Sequence, residues 1–230
     1  MRGFLQDSVF FGVFISLAAY ELGLYLRSRW KLAIFNPLLV SVLLVMALLW
    51  VCRLDYAFYY EGARYLSYLL TPATVCLAVP LYEKIRLLRR HAGAIFGGIL
   101  SGVLTSLISV FACAFLFGLT REQYVTLLPK SITAAIGMGI SEELGGMVTI
   151  TNTVILFTGV FGNMTARAVL KLFRIEEPVA KGIAVGTASH AMGTVKAMEM
   201  GEVEGAMSGL SIAVAGLLTV IGAPVFANFI

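Results

Sequence analysis

Apolar residues along this chain come in runs long enough to cross a bilayer, parted by short polar or basic turns. Residues 8–26 are apolar apart from Glu21, and Arg27, Arg29 and Lys31 close the run beside Trp30, an interfacial anchor set. Residues 34–51 predict the next helix, opened by Asn36-Pro37, where Asn caps the helix and Pro fits its first turn. The stretch 52–64 is mixed in charge and rich in Tyr, which predicts a loop at the opposite interface. The run 65–82 is shorter, interrupted by Pro72 and closed by Pro80, so it should be kinked or discontinuous. Lys84, Arg86, Arg89, Arg90 and His91 follow as the most basic loop, which the positive-inside rule places in the cytoplasm. Residues 93–118, 147–170 and 205–229 predict longer helices, the last with Pro224 near its end.

Two segments break the pattern. Residues 125–145 are apolar yet carry Pro129, Lys130, Ser131, Thr133, Gly137, Gly139 and the pair Glu142-Glu143. Residues 179–200 are interrupted by Gly186, Ser189, His190 and Gly193. Charge at membrane depth is costly, and glycines with a proline in a short apolar segment mark a broken or re-entrant helix. Parity supports this for 125–145. If that segment crossed, the cluster Arg167, Lys171, Arg174 and Lys181 would fall on the side opposite the other basic loops.

The expected fold is therefore an all-α polytopic membrane protein with about six full transmembrane helices and two broken segments, forming one membrane domain over 1–230. A shift of 60 residues lays Glu142 to Met147 on Glu202 to Met207 and Gly162 on Gly222. That suggests inverted repeat units 124–172 and 179–229, with broken segments entering from opposite sides and meeting near the midplane.

Composition agrees. The chain has 230 residues, 59% of them hydrophobic and 13% charged, with a mean hydropathy of +0.91. Its 17 cationic and 13 acidic residues give a net charge of +4. The excess reads as membrane orientation, and without basic runs interleaved with aromatics nucleic acid is a poor partner. Cys52, Cys76 and Cys113 lie far apart, so neither a disulfide framework nor a zinc site is indicated. The N-terminal run lacks a small-residue cleavage site and is read as the first membrane helix. HExxH, GxSxG and Walker patterns are absent, so no enzyme and no cofactor or metal is expected.

Candidate chemistry gathers in the broken segments. Lys130, together with the free N–H groups of a half-helix, suits a small carboxylate; alternatively its stem snorkels to the interface. Ser131 and Thr133 add hydroxyls beside it, although membrane Ser and Thr often bond back to the helix. In Thr187 to Thr194, His190 can carry a proton or orient an anion, with Thr187, Ser189 and Thr194 as hydroxyl partners; packing between close helices is the alternative. Asn152 serves a site or helix packing equally well. Asn36, Glu142 and Lys196 are secondary candidates, with an interface ion pair to Glu199 the default for Lys196 and a polar loop or re-entrant tip for Glu142-Glu143.

The segments Asn36-Pro37-Leu38-Leu39, Pro72 to Tyr82, Leu128 to Thr133, Ser141 to Gly146 and Gly186 to Thr194, with Glu204-Gly205-Ala206, resemble the LrgB/CidB (YohK, antiholin-like) family in order and spacing over essentially the whole chain. The family is associated with control of murein hydrolase export and cell lysis beside small holin-like LrgA/CidA partners. Relatives are implicated in uptake of pyruvate and similar carboxylates, and the plant plastid member moves glycolate and glycerate. The resemblance implies a multi-pass protein of the bacterial inner membrane, with a small carboxylate as substrate, an LrgA/CidA-like membrane partner and a homo-oligomer as further expectations. Two departures stand out. Ala134-Ala135 replaces a Pro-containing continuation, and Gly193-Thr194-Val195-Lys196 has Lys where many members have Arg, giving up a two-pronged grip on carboxylate.

Overall fold

The computed structural model describes residues 10–30, 35–69, 72, 76, 78–83 and 85–230. Residues 8 and 9 of the first run, Lys31, Lys84 and the middle of 65–82, where a kink is expected, lie outside the described residues. Those described are helical or in turns, with no strand among them. This is the all-α membrane architecture that the apolar runs predict. The chain divides into two compact units, Met1–Cys76 and Leu77–Ile230.

The first unit holds α1 (Phe11–Trp30), α2 (Pro37–Cys52) and α3 (Tyr56–Ser67). As expected, Asn36 caps α2 by accepting from the Leu38 N–H at 2.9 Å, with Pro37 in the first turn. The stretch 52–64, expected as a loop, is largely helix. Asp55 accepts from the Ala57 N–H at 3.1 Å and caps α3, and the tyrosines that suggested an interface loop become contacts along a helix, as in the 2.7 Å hydrogen bond between Ser16 and Tyr59.

The second unit holds α4 (Ala78–Glu83), α5 (Ile85–Arg90), α6 (Ala92–Phe117), α7 (Arg121–Leu127), α8 (Ala134–Glu143), α9 (Val148–Leu172), α10 (Pro178–Met198) and α11 (Glu202–Phe226), followed by a 3-10 turn. Three helices among the described residues, α6, α9 and α11 with its 3-10 extension, are long and apolar enough to cross a membrane. α2 is apolar but spans 16 residues.

Contacts fix the directions. Gly98 and Gly102 of α6 lie against Ile183 and Thr187 of α10, and Gly182 and Gly186 of α10 against Glu204 and Ser208 of α11, so these segments run parallel. Small residues at such crossings let backbones approach where lipid offers no hydrophobic drive, so packing itself must hold the helices together. A Cβ on Gly186 would stand 2.6 Å from the Ser208 carbonyl oxygen, so no larger residue fits. One face of α6, Ile95, Ile99, Val103, Leu107, Val110 and Ala114, is buried at helical spacing in the same core as α7 and α11. Rings of Phe111, Tyr124, Phe226 and Phe229 close the end where α6 and α11 finish. That end is called here the Arg121 end, and the opposite one the Glu177 end.

Candidate functional site

The first broken segment is a helical hairpin. Thr120 and Gln123 form a capping box that starts α7 at the Arg121 end. Arg121 donates to the carbonyls of Ala227 and Ile230, both at 2.7 Å, and Tyr124 donates to the carbonyl of Phe226 at 2.9 Å. Residues 128–133 turn, and α8 then runs back beside α7. Gly137 faces Pro129, and the last turn of α8 returns to Thr126, where Thr151 Oγ1 donates to both Ser141 Oγ and the Thr126 carbonyl. Pro129 supplies the break, because proline cannot donate to a continuing helix. Glu142 and Glu143 are exposed on the last turn of α8, and the tip lies at 128–133 instead.

The second broken segment enters from the Glu177 end. Glu177 accepts from the Ala180 N–H at 2.7 Å and Pro178 occupies the first turn. The helix then breaks at His190, whose φ of 42° and ψ of −136° are non-helical. Beyond the break the chain doubles back. A Cβ on Gly193 would stand 2.7 Å from the Val185 carbonyl oxygen, whereas eight residues of straight helix span about 12 Å. Val185 and Ala197 likewise share one small cluster with Ala166 and Leu170 of α9. α10 is thus two antiparallel halves, 178–189 and 191–198, with His190 at the tip.

The first tip meets α6. Lys130 Nζ donates to Ser131 Oγ at 3.0 Å, and Ser131 Oγ lies 3.1 Å from Ser106 Oγ of α6. A cavity of about 760 Å³ opens beside them. Its walls are α6 (from His91 to Ser109) and the first half of α10 (from Val179 to Ala188, with Glu177 at the mouth), and Lys130 and Ser131 close its far end. Ser106 is the fifteenth residue of a 26-residue helix, so the Lys130 tip lies about 15–20 Å from either end of α6. An ammonium has three donors, and one is bonded within the described residues. Lys130 itself lines the cavity.

The remaining expected residues divide. Thr187 is buried, lines the cavity, and donates to the Ile183 carbonyl at 2.6 Å. Ser189 is buried against Gly162 of α9, and His190 Nε2 lies 3.0 Å from the Ile155 carbonyl oxygen, so both turn toward α9 and away from the cavity. Thr194 is bonded to Ser208 at 2.7 Å and to the His190 carbonyl at 3.1 Å. Thr133 precedes α8 as its N-cap, and Asn152 is half-buried in the first turns of α9; neither lines the cavity. Asn36 belongs to the first unit, where it caps α2. Lys196 is buried and paired with Glu199 at 2.6 Å, the expected ion pair. The sequence reading passed over the α6 hydroxyls Ser101, Thr105, Ser106 and Ser109, although 101, 105 and 109 recur at helical spacing.

Residues 16–229 match the model of the LrgB-like family. The antiholin-like protein LrgB of Bacillus cereus (strain B4264) is 37% identical over 222 residues, covering 96% of this chain and 96% of its own. The protein of the same name from Bacillus anthracis (strain CDC 684 / NRRL 3495) has the same identity and coverage. No solved structure matches the chain.

Proposed function

The chain belongs to the LrgB-like family, and on that premise we propose that it is a multi-pass protein of the bacterial cytoplasmic membrane that passes small monocarboxylates through a site at Lys130. One observation carries this: a cavity walled by α6 and the first half of α10, with Glu177 at its mouth, finishes at the ammonium of the first hairpin tip. Discontinuous helices meeting near the midplane are the usual way a membrane protein presents backbone and side-chain groups to a small ion. In this reading Lys130 neutralises the carboxylate, Ser131 bonds its other oxygen, Thr187 accepts from a solute hydroxyl, and His190 is the proton-linked group. The work is binding and passage, with no covalent step.

We also propose that 1–230 acts as one membrane domain containing inverted repeats over 124–172 and 179–229. Each unit reads as a hairpin followed by a long helix, and the hairpins enter from opposite ends. The shift of 60 residues that lays Glu142 on Glu202 also lays Lys130 on His190.

The relatives' name, antiholin-like protein, favours a second reading more directly than it favours transport. There the chain regulates murein hydrolase export and lysis with a small holin-like LrgA/CidA-type partner, and the cavity senses a solute without passing it. Carboxylate uptake into proteoliposomes separates the two. Saturable uptake by this protein alone, lost in Lys130→Ala, supports the transporter. Well-folded protein that takes up nothing, alone or with the partner, supports the regulator.

A further inference from the structure

The outer face of α6 carries a stripe that its neighbours do not need for packing. Ser101, Thr105 and Ser109 are exposed, lie at helical spacing, and line the cavity together with Ala94 and Gly98. The buried core of the helix faces the other way, through Ile99, Val103, Leu107 and Val110. Leu104 and Ile108, beside the stripe at the same depths, are exposed at 40% and 53%, apolar, and outside the cavity lining. One helix therefore presents a polar strip and an apolar strip side by side.

The hydroxyls are saturated on one side only. Ser101 Oγ donates to the Gly98 carbonyl and Ser109 Oγ to the Ser106 carbonyl, both at 2.8 Å, which spends their protons and leaves their lone pairs facing outward. Lys130 lines the inner end of the same space and has N–H donors beyond the one given to Ser131. Unbonded ammonium donors in hydrocarbon cost several kcal/mol, whereas lining a water-filled cavity relieves that cost. Water also bridges donors and acceptors too far apart to meet directly.

At the other end, Arg121 and Tyr124 tie α7 to the carbonyls that end α11, and Tyr124, Val125 and Leu128 are fully buried beneath them. We infer that Ser101, Thr105 and Ser109 form the wetted wall of a vestibule leading from the Glu177 end to Lys130, and that a small carboxylate reaches Lys130 along this wall from that end alone. The identity of the solute rests on the reading of Lys130 given above; the wetted wall does not.

The test is thiol labelling in sealed vesicles of both orientations, in a chain with Cys52, Cys76 and Cys113 replaced by Ala. Single cysteines are placed at Ser101, Thr105 and Ser109, with Ala94→Cys as the mouth reference and Leu104→Cys and Ile108→Cys as apolar neighbours. A membrane-impermeant thiosulfonate should modify the three stripe cysteines at least tenfold faster than the two neighbours, and only from the membrane face that carries Glu177. Lactate or glycolate should slow modification at position 109 severalfold, and Lys130→Ala should abolish that shielding. Equal slow rates at stripe and neighbour positions, with Ala94→Cys reactive, would overturn the vestibule. So would stripe labelling from the Arg121 face. Stripe labelling without shielding would uphold the wetted wall and defeat the carboxylate reading of Lys130.

Discussion

His190 Nε2 lies 3.0 Å from the carbonyl oxygen of Ile155, and that one residue of α9 touches both hairpins. Its side chain is fully buried where a Cβ on Gly137 of α8 would collide with it, while its carbonyl receives the tip of α10. The bond requires Nε2 to carry the proton. His190 also holds a backbone conformation with φ of 42°, which costs about 1–3 kcal/mol in a residue other than glycine and persists only where its surroundings enforce it. The imidazole is therefore a pin for the hairpin, in addition to the proton-linked role proposed for it.

Two substitutions separate those roles. His190→Ala removes the donor and opens a void, and should destabilise the protein by about 2 kcal/mol, read as a lowered thermal midpoint in detergent. His190→Gln offers an amide donor to Ile155 but cannot titrate, so it should keep the wild-type midpoint while flattening the pH dependence of uptake. A full pH dependence in His190→Gln would leave His190 as a pin only.

Gly162 is a second packing point of the same hairpin. A Cβ there would run into the Ser189 hydroxyl, so Gly162→Ala should cost about 1–3 kcal/mol by overpacking. Ser189→Gly empties the colliding space, and the double variant should recover most of the loss in a thermal melt. Additive losses would mean that the α9–α10 contact is looser than described.

Much of this was legible beforehand, for physical reasons that differ by residue. Pro129 and Lys130 break an apolar run by rules of backbone and solvation, so the first hairpin follows from sequence. The second was signalled by Gly186, Ser189, His190 and Gly193, but only geometry locates the break at His190, because a histidine's modest tolerance of positive φ does not by itself single it out. Asn36 and Lys196 took the capping and ion-pair roles that local rules assign them. The helix α3 escaped because Tyr and mixed charges suit an interface loop and an interface helix alike; Asp55 as a cap was the available clue. The α6 hydroxyls escaped because a few Ser and Thr in a strongly apolar span look like backbone-bonded filler. Their significance comes from Lys130, which the fold brings across from another helix.

Lys130, Ser131 and Ser106 form a short relay, and its members should not be equal. Lys130→Ala removes the charge, so uptake should fall to background at any substrate concentration used for wild type. Ser106→Ala removes one hydroxyl partner of Ser131, worth about 1 kcal/mol or roughly a fivefold rise in KM, with maximal rate little changed. Initial rates over a substrate series in proteoliposomes distinguish the two. A Ser106→Ala variant as dead as Lys130→Ala would make Ser106 a direct ligand.

The direction of the hydroxyl protons predicts selectivity. Thr187 donates to Ile183, Ser101 to Gly98 and Ser109 to Ser106, each to a backbone carbonyl. What these side chains offer a solute is lone pairs. A 2-hydroxy acid brings a proton to give to them, while a 2-keto acid brings only another acceptor; its keto oxygen must compete with the carboxylate for the Lys130 ammonium, or take Thr105 or the one proton that the Ser106–Ser131 pair has to spare. One good hydrogen bond is worth about 1 kcal/mol, so glycolate and lactate should show a KM about fivefold below that of pyruvate. Thr187→Ala should narrow the gap by weakening the hydroxy acids and leaving pyruvate nearly unchanged, because only the hydroxy acids use that oxygen as an acceptor. Competition of unlabelled acids against labelled lactate gives all of these ratios in one assay. Pyruvate binding as tightly as lactate in the wild type would mean that the wall hydroxyls turn their protons to the solute, against the bonding described here.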